Sequence, residues 1–346
     1  MERFKKVIPL LAVALFLVIP LVDDNQYHVY MLNRALINCM VATGLVALTG
    51  FAGQMSLGHA AFYGIGAYAT ALLTVRVGFP VWLGIISAGA ICLLVGMVLS
   101  LPSFKVSGFY LSLVTISFGN IVWMLIVNWH SLTRGPLGFP GIPSITLGTQ
   151  PLSRVGFFYV SAVVLGLMTL ALYRLSRSYI GRGMKAMSDD EQATETAGID
   201  TKRMKVLVFS LSALYGGIAG GLYAHLSNFL SPESFVFSES ANFVAMAVVG
   251  GLRSIYGGVV GGLVVTIIPE LLRVKGWEIY YLMGSSLAIL LLVIMLPSGI
   301  APAVQNVYNR LGARLGIGGS GSGSNGNGSG NGSAAAVRGD SKSGGR

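Results

Sequence analysis

Two groups of side chains in this sequence could do more than pack. The first lies in the run from Ser176 to Lys205, where Ser188, Asp189, Asp190, Glu191, Glu195 and Gly198 stand between basic residues: Arg174, Arg177, Arg182 and Lys185 before them, Lys202, Arg203 and Lys205 after. Ser188 with Glu191 three positions on reads as a capping box, in which the hydroxyl accepts from a free N–H at a helix start and the carboxylate reaches back. Acidic side chains in a first turn suit the positive end of the helix dipole. Gly198 can take the left-handed conformation that closes a helix. The spacing predicts a short acidic helix over 189–197, too polar and too brief to cross a bilayer. It could be a handle for a partner or a solvated connection with none.

The second group is polar residues set in apolar surroundings. The stretch LTGFAGQMSLGHAAFYGIGAYA, Leu48 to Ala69, holds Gln54, Ser56, His59 and Tyr68 among glycines, and the segment from Ser107 to Asn128 holds Ser112, Thr115, Ser117 and Asn120. Hydroxyls, amides and an imidazole at these spacings could hand a small polar solute along a path, since interrupted membrane helices free backbone groups for it. They could equally bond helix to helix, and close packing is the stronger reading for any single glycine. A lone His59 is more often a hydrogen-bonded interior residue than a proton relay.

Other chemistry finds no residues to carry it. The sequence has no G-x-x-x-x-G-K-[ST], no H-E-x-x-H and no G-x-S-x-G, which leaves no P-loop and no catalytic candidates. Its cysteines, Cys39 and Cys92, both fall in apolar runs and predict neither a disulfide framework nor a metal site. Acidic residues are nearly missing from the apolar segments, which weakens an ion-coupled carrier.

The elements that must position these residues are membrane spans. Hydrophobic residues make up 53% of the chain and charged ones 10%, with a mean hydropathy of +0.72, against about 25% charged in a soluble domain. The fold class expected is all-α, a polytopic integral membrane protein of about ten transmembrane helices. The spans fall near 7–22, 29–49, 57–75, 81–101, 108–129, 155–175, 206–229, 235–250, 255–272 and 277–296. The first is read as a span rather than a signal peptide, because Asp23, Asp24, Asn25 and Gln26 offer no small-residue cleavage site. This threading puts 17 of the 23 basic residues on the side of the 176–205 loop and 6 on the other. By the positive-inside rule that loop and both termini are cytoplasmic.

On the outer side the long connection from His130 to Arg154 is rich in glycine and proline, which forbid a long helix. It could be a docking surface or a lid over helix ends. Residues 318–346 are Gly-, Ser- and Asn-rich and cannot bury enough apolar surface to order themselves. The expected organisation is therefore a transmembrane domain over 1–317, with its 176–205 loop, and a disordered cytoplasmic tail.

Three blocks together, LTGFAGQMSLGHAAFYGIGAYATALL, GFYLSLVTISFG followed by NWHSLTRGPLGFPGIP, and GRGMKAMSDDEQATETAGIDTKRMKVLVFSLSALYGGIAGGLYA, resemble the LivM-type permease subunit of branched-chain amino acid ABC importers. The likeness runs over about 38–297. It implies a bacterial inner-membrane transport subunit, not an enzyme, that carries branched-chain amino acids, with urea or short-chain amides as the alternative cargo within the family. An autonomous secondary carrier is the rival from another class. The implied partners are a LivH-like permease, LivG-like and LivF-like ATPases and a periplasmic substrate-binding protein, with no nucleic acid. ATP and Mg would sit in the partner ATPases, with no cofactor or metal in this chain. Carried onto this sequence, the resemblance makes Ser188, Asp189, Asp190, Glu191, Glu195 and Gly198 the coupling helix that seats on an ATPase. Gln54, Ser56, His59, Tyr68, Ser112, Thr115 and Asn120 are the candidate solute path, and Arg134 and Arg154 candidate docking residues for the binding protein.

Overall fold

In lipid a chain must satisfy its own backbone N–H and C=O groups, and for long apolar runs the α-helix does so within one segment. The computed structural model describes residues 16–21, 25–147, 150–273, 299–301 and 303, and among these helices dominate. They are α1 (Gln26–Leu45, continuing as a π-helical turn, Val46–Phe51), α2 (His59–Val75), α3 (Val81–Ser100), α4 (Phe109–Asn128), α5 (Arg154–Arg177), α6 (Tyr179–Asp189), α7 (Glu191–Thr196), α8 (Thr201–Ser227), α9 (Phe237–Gly250) and α10 (Gly257–Arg273). Among the described residues five stretches are long and apolar enough to cross a membrane: Gln26–Phe51, Val81–Phe104, Phe109–Asn128, Arg154–Arg177 and Thr201–Ser227. Of the spans expected from sequence, that at 277–296 and most of that at 7–22 lie outside the described residues, as does the 318–346 tail.

α1 and α8 form the centre. The apolar window of α1 is 89% buried and that of α8 72%, against 28% for α4, so the first two are wrapped by protein while α4 presents a broad face outward. Helix approach there depends on missing side chains: a Cβ on Gly66 would clash with the Gly217 carbonyl oxygen, and one on Gly220 with that of Tyr63. With no hydrophobic effect between helices in lipid, such backbone contact supplies the dispersion that holds α2 against α8.

The connections sort into two ends. At one, called here the polar-loop end, the break after α1, the turn after α3, the α6–α7 segment and the α9–α10 turn meet: Gly53 lies against Ser188, Lys205 reaches the Ser103 carbonyl and Arg253 reaches Asp189. At the other, the lid end, Arg76 donates to the carbonyls of Ser131 and Leu132, and Arg154 to that of Gln26. The proline-rich connection there folds into short turns and two-residue strands, β1 (Phe139–Pro140), β2 (Thr146–Leu147) and β3 (Gln150–Pro151). β2 pairs with β3, and β1 pairs antiparallel with β4 (Phe229–Leu230) just past α8. Phe139, Ile142 and Ile145 are buried beneath it. Asn228, in the left-handed conformation at φ 57°, donates through its amide to the Ile142 carbonyl at 2.9 Å, and His225 Nδ1 lies 2.6 Å from the Pro143 carbonyl. The connection is thus packed down over the helix ends as a lid.

Candidate functional site

At the polar-loop end, α6 is amphipathic, burying Gly181, Gly183, Met184 and Met187, and its start is capped by Ser178, which accepts from Gly181 N. Because that helix runs on to Asp189, Ser188 belongs to its last turn and is not the cap expected from sequence. The cap is Asp190: its backbone is extended, at φ −155° and ψ 112°, and its Oδ1 accepts from Ala193 N at 3.0 Å. Glu191 does not reach back as in a capping box either, since Lys205 Nζ holds its carboxylate at 2.6 Å. The acidic helix is shorter than 189–197, spanning Glu191–Thr196. Gly198 closes it at φ 83°: its N–H donates to the Glu195 carbonyl at 2.9 Å, and Ile199 N–H to that of Thr194 at 3.3 Å, which together make a Schellman motif.

One side of this small helix is tied down while Gln192, Ala193 and Thr196 stay exposed. Lys205 is 3% exposed and also donates to the Ser103 carbonyl at 2.9 Å, so it joins α7, α8 and the turn after α3. The Thr201 hydroxyl donates to Glu195, and Asp200 caps α8 by accepting from Arg203 N. Asp189 pairs with Arg253 at 3.1 Å, both side chains largely in solvent. Lys185 stands 5.0 Å over the Phe51 ring, linking α6 to the end of the π-helical turn.

The candidate path residues divide. Ser56, His59, Ser112 and Thr115 are buried and hydrogen-bonded. Ser56 Oγ lies 3.1 Å from His59 Nδ1, His59 Nε2 lies 2.7 Å from Ser212 Oγ, and Ser212 Oγ donates to the Gly44 carbonyl at 2.8 Å. Since the Ser212 proton is committed to Gly44, His59 must donate from Nε2 and accept from Ser56 at Nδ1. Both ring nitrogens of the imidazole are thereby hydrogen-bonded. Thr115 Oγ1 accepts from Leu57 N at 3.0 Å and so holds the irregular segment before α2. Gln54 is buried, donates to the Ala52 carbonyl and has no partner for its Oε1 among the described residues. The Tyr68 hydroxyl is likewise buried and unpaired among the described residues, with its ring 5.7 Å from that of Phe235. Asn120 stands apart from the buried group, exposed on the outward face of α4 with Ser117 and Met124. The helical period sets this, because Leu111, Thr115, Val122 and Ile126 take the inward face.

Arg134 and Arg154 both lie at the lid end and are exposed. Arg134 has φ 65° and its guanidinium is 5.8 Å from the Phe139 ring; that of Arg154 is 5.9 Å from Tyr30.

One feature escaped sequence reasoning. A cavity of about 280 Å³ at the lid end is lined by Arg34, Tyr63, Tyr223, Ser231, Glu233, Ser234 and Glu239. Arg34 Nη2 is 3.9 Å from Glu239 Oε1, too far for a hydrogen bond. In sequence Arg34 is a single charge in an apolar run and Glu239 a polar residue near the start of a short one. Only the crossing of α1 and α9 brings them together. Among the described residues no group of His, Cys, Asp and Glu could hold a metal.

Apolar helices crossing at glycines, with polar connections sorted to two ends, define a multi-pass helical membrane protein. The chain belongs to the family described as branched-chain amino acid transport system / permease component, which matches residues 27–296. It is 33% identical over 294 residues to the high-affinity branched-chain amino acid transport system permease protein LivM of Escherichia coli K12, covering 78% of this chain and 69% of that one. It is 22% identical over 290 residues to the probable LivM of Methanocaldococcus jannaschii, covering 76% and 83%. It is also 25% identical over 288 residues to LivH of Escherichia coli K12, covering 78% and 92%. No solved structure matches.

Proposed function

We propose that this chain is a permease subunit of an ABC importer that carries branched-chain amino acids across the bacterial inner membrane. Family membership over 27–296 supports this reading, and the observation that carries its mechanism is the fastening of α7. Residues 188–198 form a rigid acidic piece bound through Lys205 to α8 and the turn after α3, and through Asp189 to the α9–α10 turn. A force applied there reaches several spans at once, as a helix seated on an ATPase requires. ATP and Mg belong to LivG-like and LivF-like partner subunits, and hydrolysis is theirs.

The reading takes the polar-loop end as cytoplasmic, both termini with it, and about ten spans in a domain over 1–317. It takes the lid end, with Arg134 and Arg154, as the face that meets a periplasmic substrate-binding protein. A LivH-like permease is the second half of the pathway. Gln54, Ser56, His59, Tyr68, Ser112 and Thr115 shape the interior of this half, and Asn120 joins the path where it runs between the two permeases.

Uptake of labelled leucine and urea into proteoliposomes tests the proposal. The assembled importer is expected to accumulate leucine only with ATP and both ATPases present. Accumulation of urea alone, or leucine transport by the isolated chain without ATP, would remove it.

A further inference from the structure

We propose that the lid-end cavity between Arg34 and Glu239 receives the zwitterionic head of a free α-amino acid. The proposal rests on the transport reading above and deepens it by naming the residues that meet the cargo.

The cavity holds unspent hydrogen-bonding capacity. Among the described residues the Arg34 guanidinium makes no hydrogen bond and one long ion pair, to Glu239 at 3.9 Å, and its side chain is 40% exposed, so its planar N–H donors face open space. The Glu239 side chain is 19% exposed and accepts one long bond, 3.3 Å, from Asn242, on Oε2. The Tyr63 hydroxyl has no hydrogen-bond partner among the described residues although the residue is 3% exposed and lines the cavity. Three polar groups with hydrogen-bonding capacity to spare therefore surround one opening, which suits it to a polar guest.

Their arrangement says which guest. A cation and an anion lie side by side, and the head of an amino acid presents the same two charges side by side in the reverse order. Its carboxylate can take paired N–H donors from Arg34, while its ammonium faces Glu239 with Glu233 beyond. Tyr63 and Tyr223, with ring centroids 5.2 Å apart, form the wall. Neither urea nor a sugar carries two opposite charges, and a simple anion would meet Glu239. At about 280 Å³ the cavity is near the lower limit of small-molecule sites, roughly 300 Å³, which suits one small solute. Because the named contacts all engage the head, the cavity reads that a solute is an amino acid and not which one.

The test is leucine uptake by the assembled importer in proteoliposomes, with its delivery protein, comparing wild type, Arg34→Gln, Glu239→Gln and the double variant. Co-purification of the partner permease measures assembly. Each single change is expected to lower uptake about tenfold, the equivalent of one charge-assisted contact, and the double change to lower it further. If the pair only tethers α1 to α9, the double variant should do no worse than either single one. That result, or Arg34→Gln uptake within roughly twofold of wild type, overturns the proposal. Should Arg34→Gln fail to assemble, Tyr63→Phe keeps the ring and removes the hydroxyl: reduced leucine uptake supports the site and unchanged uptake overturns it. Wild-type importer that carries urea and no amino acid overturns the transport reading itself, before any variant is compared.

Discussion

Glu191 and Lys205 meet at 2.6 Å with the lysine 3% exposed and its remaining contact on the Ser103 carbonyl. The acidic helix, too polar to cross a bilayer, is therefore held by a buried cation.

Loss of that carboxylate strands the cation. Glu191→Gln is expected to destabilise the protein by about 1–3 kcal/mol, less than the 3–5 of a fully buried pair because Glu191 keeps part of its carboxylate in water. Glu191→Gln with Lys205→Met should recover much of the loss. Thermal unfolding in detergent measures both, and equal stability of the single variant and wild type would contradict the pairing.

Gly198→Ala tests the helix stop. A Cβ there meets nothing within 4 Å, but φ is 83°, so the cost is backbone strain of about 1 kcal/mol. Amide exchange across 194–199 should quicken while the global unfolding temperature barely moves. Unchanged exchange would mean that the Schellman closure contributes little.

Gly220→Ala is expected to disrupt the α2–α8 contact, since its Cβ would clash with the Tyr63 carbonyl. Gly166→Ala on α5, where nothing stands within 4 Å, is the matched control and should be neutral or slightly stabilising. Expression and unfolding temperature of the two variants give the comparison.

His59→Leu keeps an apolar volume but leaves the Ser56 hydroxyl without its acceptor and takes the donor from Ser212. The loss expected is about 1–3 kcal/mol, read as a lower unfolding temperature. A variant as stable as wild type would show that the hydrogen-bonded chain from Ser56 to Gly44 contributes nothing.

The helices were legible because hydropathy and length determine them: the expected 81–101 and 155–175 spans correspond to helical Val81–Phe104 and Arg154–Arg177. The end of the acidic helix was legible at Gly198 because glycine marks a left-handed turn locally. Its start was not. Ser188 and Asp190 are both good caps by type, and the choice fell to Asp190 because packing of Met184 and Met187 carries α6 onward to Asp189. The partners of Glu191, Arg34 and Asp189 are 14, 205 and 64 residues away along the chain, and no local pattern announces them. The outward placing of Asn120 was not legible for a related reason, since polarity alone does not say which side of a helix faces its neighbours.

α8 carries Lys205 near one tip and His225 near the other, where the imidazole meets Pro143 and the following Asn228 holds Ile142. At 27 residues and about 1.5 Å per residue, it is a single strut whose two tips are clamped to opposite surfaces. Under the transport proposed above, a tilt of that strut at one tip is carried to the clasp at the other, so news of arrival and supply of power would share one lever.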